Sequence, residues 1–179
     1  MSRVKVEHIR HTSSNNDSVT LASDSSVSLK HSGSAKLSTT ASGVSITGVD
    51  LSNLLREGVN ITAGKLSDNT NIDLEDGMVH LFTTQETTTS TPNIRFNSST
   101  SLNNSMNTGE AISVTIITTA AAAGYSAQLT IDGSAVTENW VGGSAPSAGG
   151  SSNVDIYSYT IIKTASATFT VIGNLSKTS

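Results

Sequence analysis

Hydrophobic and polar positions alternate most strongly in the last third of the chain, between residues 111 and 175. Four runs there are rich in Val, Ile, Thr, Tyr and Phe and are bounded by Gly, Asn, Asp and Ser. β-Branched and aromatic residues fit a pleated, half-buried surface, and the flanking residues favour turns. The pattern therefore predicts four strands that supply the main core: 112–119, 125–131, 154–163 and 168–173.

Two further strands are predicted beside these runs. The Asp-Gly pair at 132–133 predicts a hairpin, because this dipeptide accepts positive φ angles. We expect the return strand over 136–141, which carries the only tryptophan, Trp140. Upstream, the pattern of residues 78–84 predicts another strand. It has apolar residues on both faces, as is typical of a buried strand. Its His80 is expected to be a hydrogen-bonded core residue.

A short unit recurs near the N-terminus. An apolar-polar-apolar triplet begins at positions 19, 27, 35 and 44, and Ser, Asp and Gly are frequent between the triplets. Each unit predicts a short strand followed by a tight turn. Two apolar side chains per unit bury too little surface to offset the conformational entropy of ordering eight residues. We therefore expect this arm to be ordered by a partner surface or by winding with its own copies. A flexible low-complexity arm is the alternative.

Between the arm and the body, residues 49–58 are the only helical candidate. Leu51, Leu54 and Leu55 form an i, i+3, i+4 stripe, and Gly58 lies where a glycine commonly ends a helix. We interpret this stretch as a junction. The short alternations that follow, over 59–74, either extend the arm or run along the body.

These elements predict an all-β fold with a C-terminal β-sandwich or jelly-roll-like body, preceded by an N-terminal arm of short β-repeats. With a further short strand over 93–96, the body has around seven or eight predicted strands within about 100 residues, spaced by turn signals, which is typical of such folds. The expected domains are an arm over 1–48, a junction over 49–76 and a body over 77–179.

Composition narrows the classes of function. Only 13% of the residues are charged, the formal net charge is −4 and the sequence pI is about 5.4, so nucleic-acid binding is not expected. The chain has no cysteine, which excludes disulfides and thiolate chemistry. The N-terminus has no signal-peptide pattern and no run is long enough to span a bilayer, so membrane insertion is not expected either.

No arrangement of residues specifies a reaction, so we predict that the protein is not an enzyme and that it has no cofactor and no metal site. His8 and His11 lie close in sequence, but neither a third ligand nor an element that fixes them is evident, and a solvated or partner-facing segment is favoured. A group of acids at 68, 73, 75 and 76 offers at best a weak cation site.

The aromatic residues of the body offer one candidate ligand surface. Trp140, Tyr157 and Tyr159, with Tyr125, could line a face that binds sugars. Aromatic residues in a small β body are more often core or interface anchors, and this interpretation is favoured.

Two stretches resemble structural proteins of the virions of marine cyanobacterial phages. The first resembles their N-terminal arms and extends from Val6-Glu-His-Ile-Arg-His to Gly43-Val-Ser-Ile-Thr-Gly. The second is similar to a β-rich module of the same class of proteins and contains Ala120-Ala-Ala-Ala-Gly-Tyr, Trp140-Val-Gly-Gly-Ser and Asp155-Ile-Tyr-Ser-Tyr. Together they cover most of the chain.

The resemblance implies a homo-oligomer, commonly a trimer, with an anchoring or winding N-terminal part and a projecting body. The function favoured is capsid decoration by a knob or head fibre on the virion surface, made in the host cytoplasm. Its partners would be the major capsid protein or tail components, with host-surface glycans as a further ligand. A short tail-associated fibre or spike and a carbohydrate-binding β-sandwich module are the alternatives. Anchoring or oligomer contacts are expected at Val4, Val6, Ile9, Val19, Leu21, Val27 and Leu29.

Overall fold

The computed structural model describes residues 6–10, 16–40, 43–47, 56–151 and 153–178. The chain divides into two compact units, residues 1–55 and 56–179. Strands dominate both units, so the predicted all-β fold class is confirmed.

The first unit is a single antiparallel sheet in which each strand pairs with the next along the chain. Its turns use the polar residues between the triplets: Asp24 Oδ1 accepts the Ser26 N–H at 2.9 Å, and Ser32 and Gly33 both have positive φ. Each of the four triplets lies in a strand. The strands are β1 (His8–Ile9), β2 (Val19–Leu21), β3 (Val27–His31), β4 (Ser34–Thr40) and β5 (Gly43–Ile46).

The second unit contains two sheets with the core between them. A six-stranded sheet has the order β13-β15-β14-β10-β8-β6, and a four-stranded sheet has the order β12-β11-β9-β7. The strands are β6 (Val59–Thr62), β7 (Asn71–Asp73), β8 (Val79–Glu86), β9 (Asn93–Arg95), β10 (Ala111–Ala120), β11 (Thr130–Ile131), β12 (Ser134–Ala135), β13 (Glu138–Trp140), β14 (Val154–Ala165) and β15 (Thr168–Lys177).

The first six strands of this unit alternate between the two sheets. Strands β6, β8 and β10 are parallel neighbours in one sheet, and β7, β9 and β11 are parallel neighbours in the other. The chain therefore winds three times through the two sheets. We call each turn of this winding a coil, and each coil adds one strand to each sheet. The shared register stacks Ile72, Ile94 and Ile131 in one row, and all three side chains are buried.

The C-terminal hairpin completes the larger sheet. Strands β14 and β15 are antiparallel, and β14 also pairs antiparallel with β10 over most of its length. The hairpin contributes Tyr157, Tyr159, Ile161 and Val171 to the same buried cluster as the isoleucine row. The core is therefore built jointly by the coils and the hairpin.

Side-chain amides link the three coils along the edge of the isoleucine row. Asn93 donates from Nδ2 to Asn71 Oδ1 at 2.9 Å, and Asn93 Oδ1 accepts from Thr130 Oγ1 at 2.9 Å and from the Gly133 N–H at 2.8 Å. One asparagine thus bonds to the coil before it and to the coil after it.

The buried carboxylate of Glu86 has a comparable structural role. Its oxygens accept hydrogen bonds from the N–H and hydroxyl of Ser67, the Thr87 N–H, and the N–H and hydroxyl of Thr88. Burial acts to raise the pKa of Glu86, but the hydrogen bonds from Ser67 and Thr88 outweigh it and the pKa is lowered. Through these hydrogen bonds the ionised carboxylate links the end of β8 to the loop before β7.

Most of the predicted helix over 49–58 lies outside the described residues. Residues 49–55 are not described, and 56–58 are not helical. The described helices are a 3-10 turn at Leu74–Asp76 and α1 at Leu102–Ser105. Helix α1 forms in a polar stretch because Ser101 caps it and Asp132 accepts the first N–H groups, and this second contact depends on the tertiary fold.

The predicted domain boundary and two predicted strands also require correction. Strands β6 and β7 pair within the body, so residues 59–74 run along it and the second unit begins at Arg56. Only Thr130–Ile131 of the predicted strand 125–131 is a strand. The return strand of the hairpin is β12, which ends before the predicted 136–141 begins. Within 136–141 the structure has β13 instead, which pairs in parallel with β15.

The hairpin and the core histidine agree with the sequence analysis. Asp132 and Gly133 have φ angles of 52° and 77°, as the predicted turn requires. His80 is buried and its Nε2 lies 2.9 Å from the Gly77 carbonyl oxygen.

Replacing Ile94, the middle residue of the buried row, should destabilise the second unit. We expect Ile94→Ala to lower its free energy of unfolding by about 2–5 kcal/mol, because the side chain is completely buried. Ile61→Ala is the matched control, since Ile61 is 65% exposed and also lies in a paired strand. Urea unfolding followed by the fluorescence of Trp140 measures both; equal losses would contradict the packing of the row.

Candidate interaction surfaces

One row of apolar side chains crosses the whole sheet of the first unit. The register pairs Ile9 with Val19, Val19 with Leu29, Leu29 with Leu37 and Leu37 with Ile46. Since residues two apart in a strand share a face, a second row beside the first lies on the same face. We call this surface the apolar face; its residues are Ile9, Val19, Leu21, Val27, Leu29, Leu37, Val44 and Ile46.

The opposite face of the same sheet is polar. The row that alternates with the apolar one contains His8, Thr20, Ser28, Ser38 and Ser45. The Ser28 and Ser38 hydroxyls are 3.0 Å apart and hydrogen-bonded. The two faces of the sheet are therefore chemically distinct.

The described residues do not enclose the apolar face. None of the described residues of the first unit is buried. Val44 is 59% exposed, Leu29 44% and Ile46 43%. Contiguous apolar surface of this kind marks sites of interaction in soluble proteins.

The residues expected to make anchoring contacts fall in three groups. Val4 lies outside the described residues. Val6 precedes β1 and is exposed, but it is not part of a strand. Ile9, Val19, Leu21, Val27 and Leu29 all belong to the apolar face. Leu37, Val44 and Ile46 were missing from the expected contacts, although the same triplet repeat identifies them.

Two of the three aromatic residues that were candidates for a ligand surface are in the core. Tyr157 and Tyr159 are each 1% exposed, which agrees with the favoured core interpretation and excludes them from the candidate surface. Both lie on the inner face of β14, and their rings stack at a centroid distance of 6.4 Å. The Tyr157 hydroxyl accepts the Ser126 N–H at 3.0 Å, and burial raises the pKa of Tyr157 to about 12. The Tyr-Ser-Tyr alternation therefore belongs to a buried face.

Trp140 remains at the surface, in a cleft at the edge of the six-stranded sheet. It lies in β13, the edge strand, and is partly exposed. The cleft has a volume of about 580 Å³. It is lined by Ala127, Gln128, Val136, Thr137, Glu138, Asn139, Trp140, Gly143 and Ala145.

The loop that follows Trp140 is fixed at its far end by Asp155. This carboxylate is completely buried; Oδ2 accepts the Gly150 N–H at 3.0 Å and Oδ1 has no hydrogen-bond partner among the described residues. Burial raises the pKa of Asp155, and the Gly150 hydrogen bond and the charge of Lys177 offset this only in part. At Gly149 a Cβ atom would lie 2.3 Å from the Ala121 carbonyl oxygen, so only glycine fits there.

The remaining titratable residues do not converge on a reactive centre within the described part of the chain. His8 Nδ1 contacts Asp17 Oδ2 at 2.9 Å, and His11 is among the residues that the structure does not describe. Asp73 forms an ion pair with Arg95. No group of three or more His, Cys, Asp or Glu residues that could hold a metal ion occurs among the described residues.

No protein-family model, no curated protein sequence and no solved structure matches the chain. No helix in the described ranges is long and apolar enough to cross a membrane. The function is therefore inferred from the surfaces described above.

Replacing Asp155 by asparagine should stabilise the protein at neutral pH. A raised pKa in the folded state means that the stability of the native protein falls as the pH rises through the titration of Asp155. The asparagine amide would keep an oxygen for the Gly150 N–H but would carry no buried charge. We expect Asp155→Asn to gain about 1 kcal/mol at pH 7, because the cost of burying a poorly paired charged group is removed.

The gain should disappear near pH 3, where Asp155 is largely protonated in both states. Urea unfolding at the two pH values measures the difference. A variant that is less stable than the native protein at pH 7 would show that the ionised carboxylate contributes net stability. Asp68→Asn, at an aspartate that is not buried, is the control and should change stability little.

Proposed function

We propose that this chain is a non-enzymatic structural protein of a bacteriophage particle, and that it is a small capsid-decorating protein, a knob or head fibre, displayed on the virion surface. The observation that carries the proposal is the apolar face of the first unit. The resemblance of the N-terminal arm and the C-terminal module to virion proteins of marine cyanobacterial phages supports the particle as its location.

The first unit requires a partner surface. Isolated β layers are marginally stable in water unless a hydrophobic face is covered. Here the apolar row extends across five strands, and no second layer among the described residues buries it. Burial of these side chains on association would supply the stabilisation that the single sheet lacks.

The surface that covers the apolar face is the same face of further copies of the chain. The face presents Val, Leu and Ile in rows, and such a surface is complementary to itself. A homo-oligomer held together by the first units would leave each second unit free to project. This arrangement agrees with the trimeric, anchored organisation that the resemblance implies.

The use of the acidic residues in the second unit favours a structural role. Glu86 accepts five hydrogen bonds from neighbouring residues, Asp132 accepts the N–H groups of Leu102 and Asn103, and Asp73 is paired with Arg95. These carboxylates stabilise turns and coils. General acid–base chemistry would instead need a carboxylate directed at a substrate.

Association through the apolar face can be tested by two neighbouring substitutions. Val44 and Ser45 are both exposed in β5 and lie on opposite faces of the sheet. Val44→Glu should convert the oligomer to a monomer, because it places a charge within an apolar interface. Ser45→Glu introduces the same charge on the polar face and should leave the oligomer unchanged. Light scattering of the full-length proteins measures the mass.

The mass of a truncated chain and the binding of full-length protein to particles distinguish the proposal from its alternatives. A chain that begins at Arg56 should be a folded monomer, because the second unit contains its own core. Full-length protein added to purified particles should bind at a fixed stoichiometry to capsids, and Val44→Glu should bind less. Binding to tails alone would favour a short tail fibre. A full-length monomer that binds neither part of the particle would overturn the assembly function.

A further inference from the structure

Trp140 is held in place by residues beneath it while remaining partly open to solvent. The register sets it beside Gly173, and a Cβ atom on Gly173 would lie 3.1 Å from ring carbons of the tryptophan. Behind it, Tyr159 meets the indole edge-on at a centroid distance of 6.0 Å and an interplanar angle of 69°. The missing side chain at Gly173 therefore lets the indole lie flat against the sheet, as a rigid aromatic surface.

Two side chains that line the same cleft, Gln128 and Glu138, have hydrogen-bonding groups without partners among the described residues. Glu138 shares one face of β13 with Trp140; one of its carboxylate oxygens accepts the Leu129 N–H, and its other oxygen has no hydrogen bond to a described residue. The side-chain amide of Gln128 likewise forms no hydrogen bond with a described residue. Asn139 lies on the opposite face of β13, where its Nδ2 donates to the Val171 carbonyl.

The charge of the cleft restricts the ligand. None of its nine lining residues is basic, and Glu138 is acidic. A phosphate, sulfate or carboxylate group would be repelled and would find no cation. The ligand that fits is neutral, with an apolar face for the indole and several hydroxyl groups for the Glu138 carboxylate and the Gln128 amide.

We propose that this cleft binds a neutral saccharide. The C–H face of one sugar ring stacks on Trp140, while hydroxyl groups donate to Glu138 and exchange hydrogen bonds with Gln128. The volume of about 580 Å³ lies within the range of small-ligand sites, about 300–1,000 Å³. This site belongs to the second unit and does not depend on the assembly role of the first.

An organic cation is the other ligand that an aromatic ring and a carboxylate can bind. Recognition of quaternary ammonium groups uses cages of several aromatic rings. Among the described residues that line the cleft, Trp140 is the only aromatic one, and Tyr159 behind it is 1% exposed. The saccharide is therefore favoured, and choline becomes a probe in the test.

The experiment uses full-length protein and the intrinsic fluorescence of Trp140, which is the only tryptophan of the chain. The probes are maltotriose, cellotriose and tri-N-acetylchitotriose, with choline for comparison. We expect a saturable change in emission with at least one of the trisaccharides. For that sugar, Gln128→Ala and Glu138→Gln should each raise the Kd about fivefold, the effect of losing roughly one hydrogen bond.

Gln85→Ala is the matched control, because Gln85 is the only other glutamine of the chain and does not line the cleft. It should bind the sugar with the Kd of the native protein. Urea unfolding curves that match the native curve establish that each variant is folded. The proposal is overturned if no trisaccharide gives a saturable change, if choline saturates the signal in their place, or if Gln128→Ala and Gln85→Ala bind alike.

Discussion

The second unit depends on one constraint: three coils of chain must keep the same register in two sheets at once. Ile72, Ile94 and Ile131 share a buried row only while this register holds. A slip of one residue would turn every side chain of a strand to the opposite face. The hydrogen bonds of Asn93 to both neighbouring coils oppose such a slip. The ion pair between Asp73 and Arg95, which are partners in the register of β7 and β9, joins the first two coils in addition.

The two units use similar short strands and turns with opposite results. In the second unit the chain alternates between two sheets, so each strand faces another layer and a core forms within one molecule. In the first unit each strand pairs with the next in a single layer, and the apolar face has no second layer among the described residues. The connection between strands, more than their composition, therefore decides which unit folds around its own core and which unit leaves an apolar face exposed among its described residues.

The strands and turns with strong local signals could be predicted from the sequence, whereas their partners could not. The Asp132-Gly133 turn and the hairpin of β14 and β15 follow from turn chemistry and alternation. Alternation has the same period in parallel and antiparallel strands, so the coils were not evident. Tyr157 and Tyr159 are buried because their face of β14 packs against the core cluster, whereas Ser158 on the other face is exposed. The cleft at Trp140 combines separate chain segments, and no local pattern identifies such a combination.

The coils also determine how this body can change in size. Val59 pairs with Val79 after 20 residues, and Val79 pairs with Thr115 after 36. Each of these two coils nevertheless adds one strand to the sheet, which extends it by about 4.8 Å in the direction of the hydrogen bonds between strands. The additional residues of the second coil, which include α1, lie outside the paired strands. The height of the body is therefore proportional to the number of coils and independent of the number of residues in each. Loops can lengthen at the surface, for example around the cleft, while the spacing of the layers stays constant.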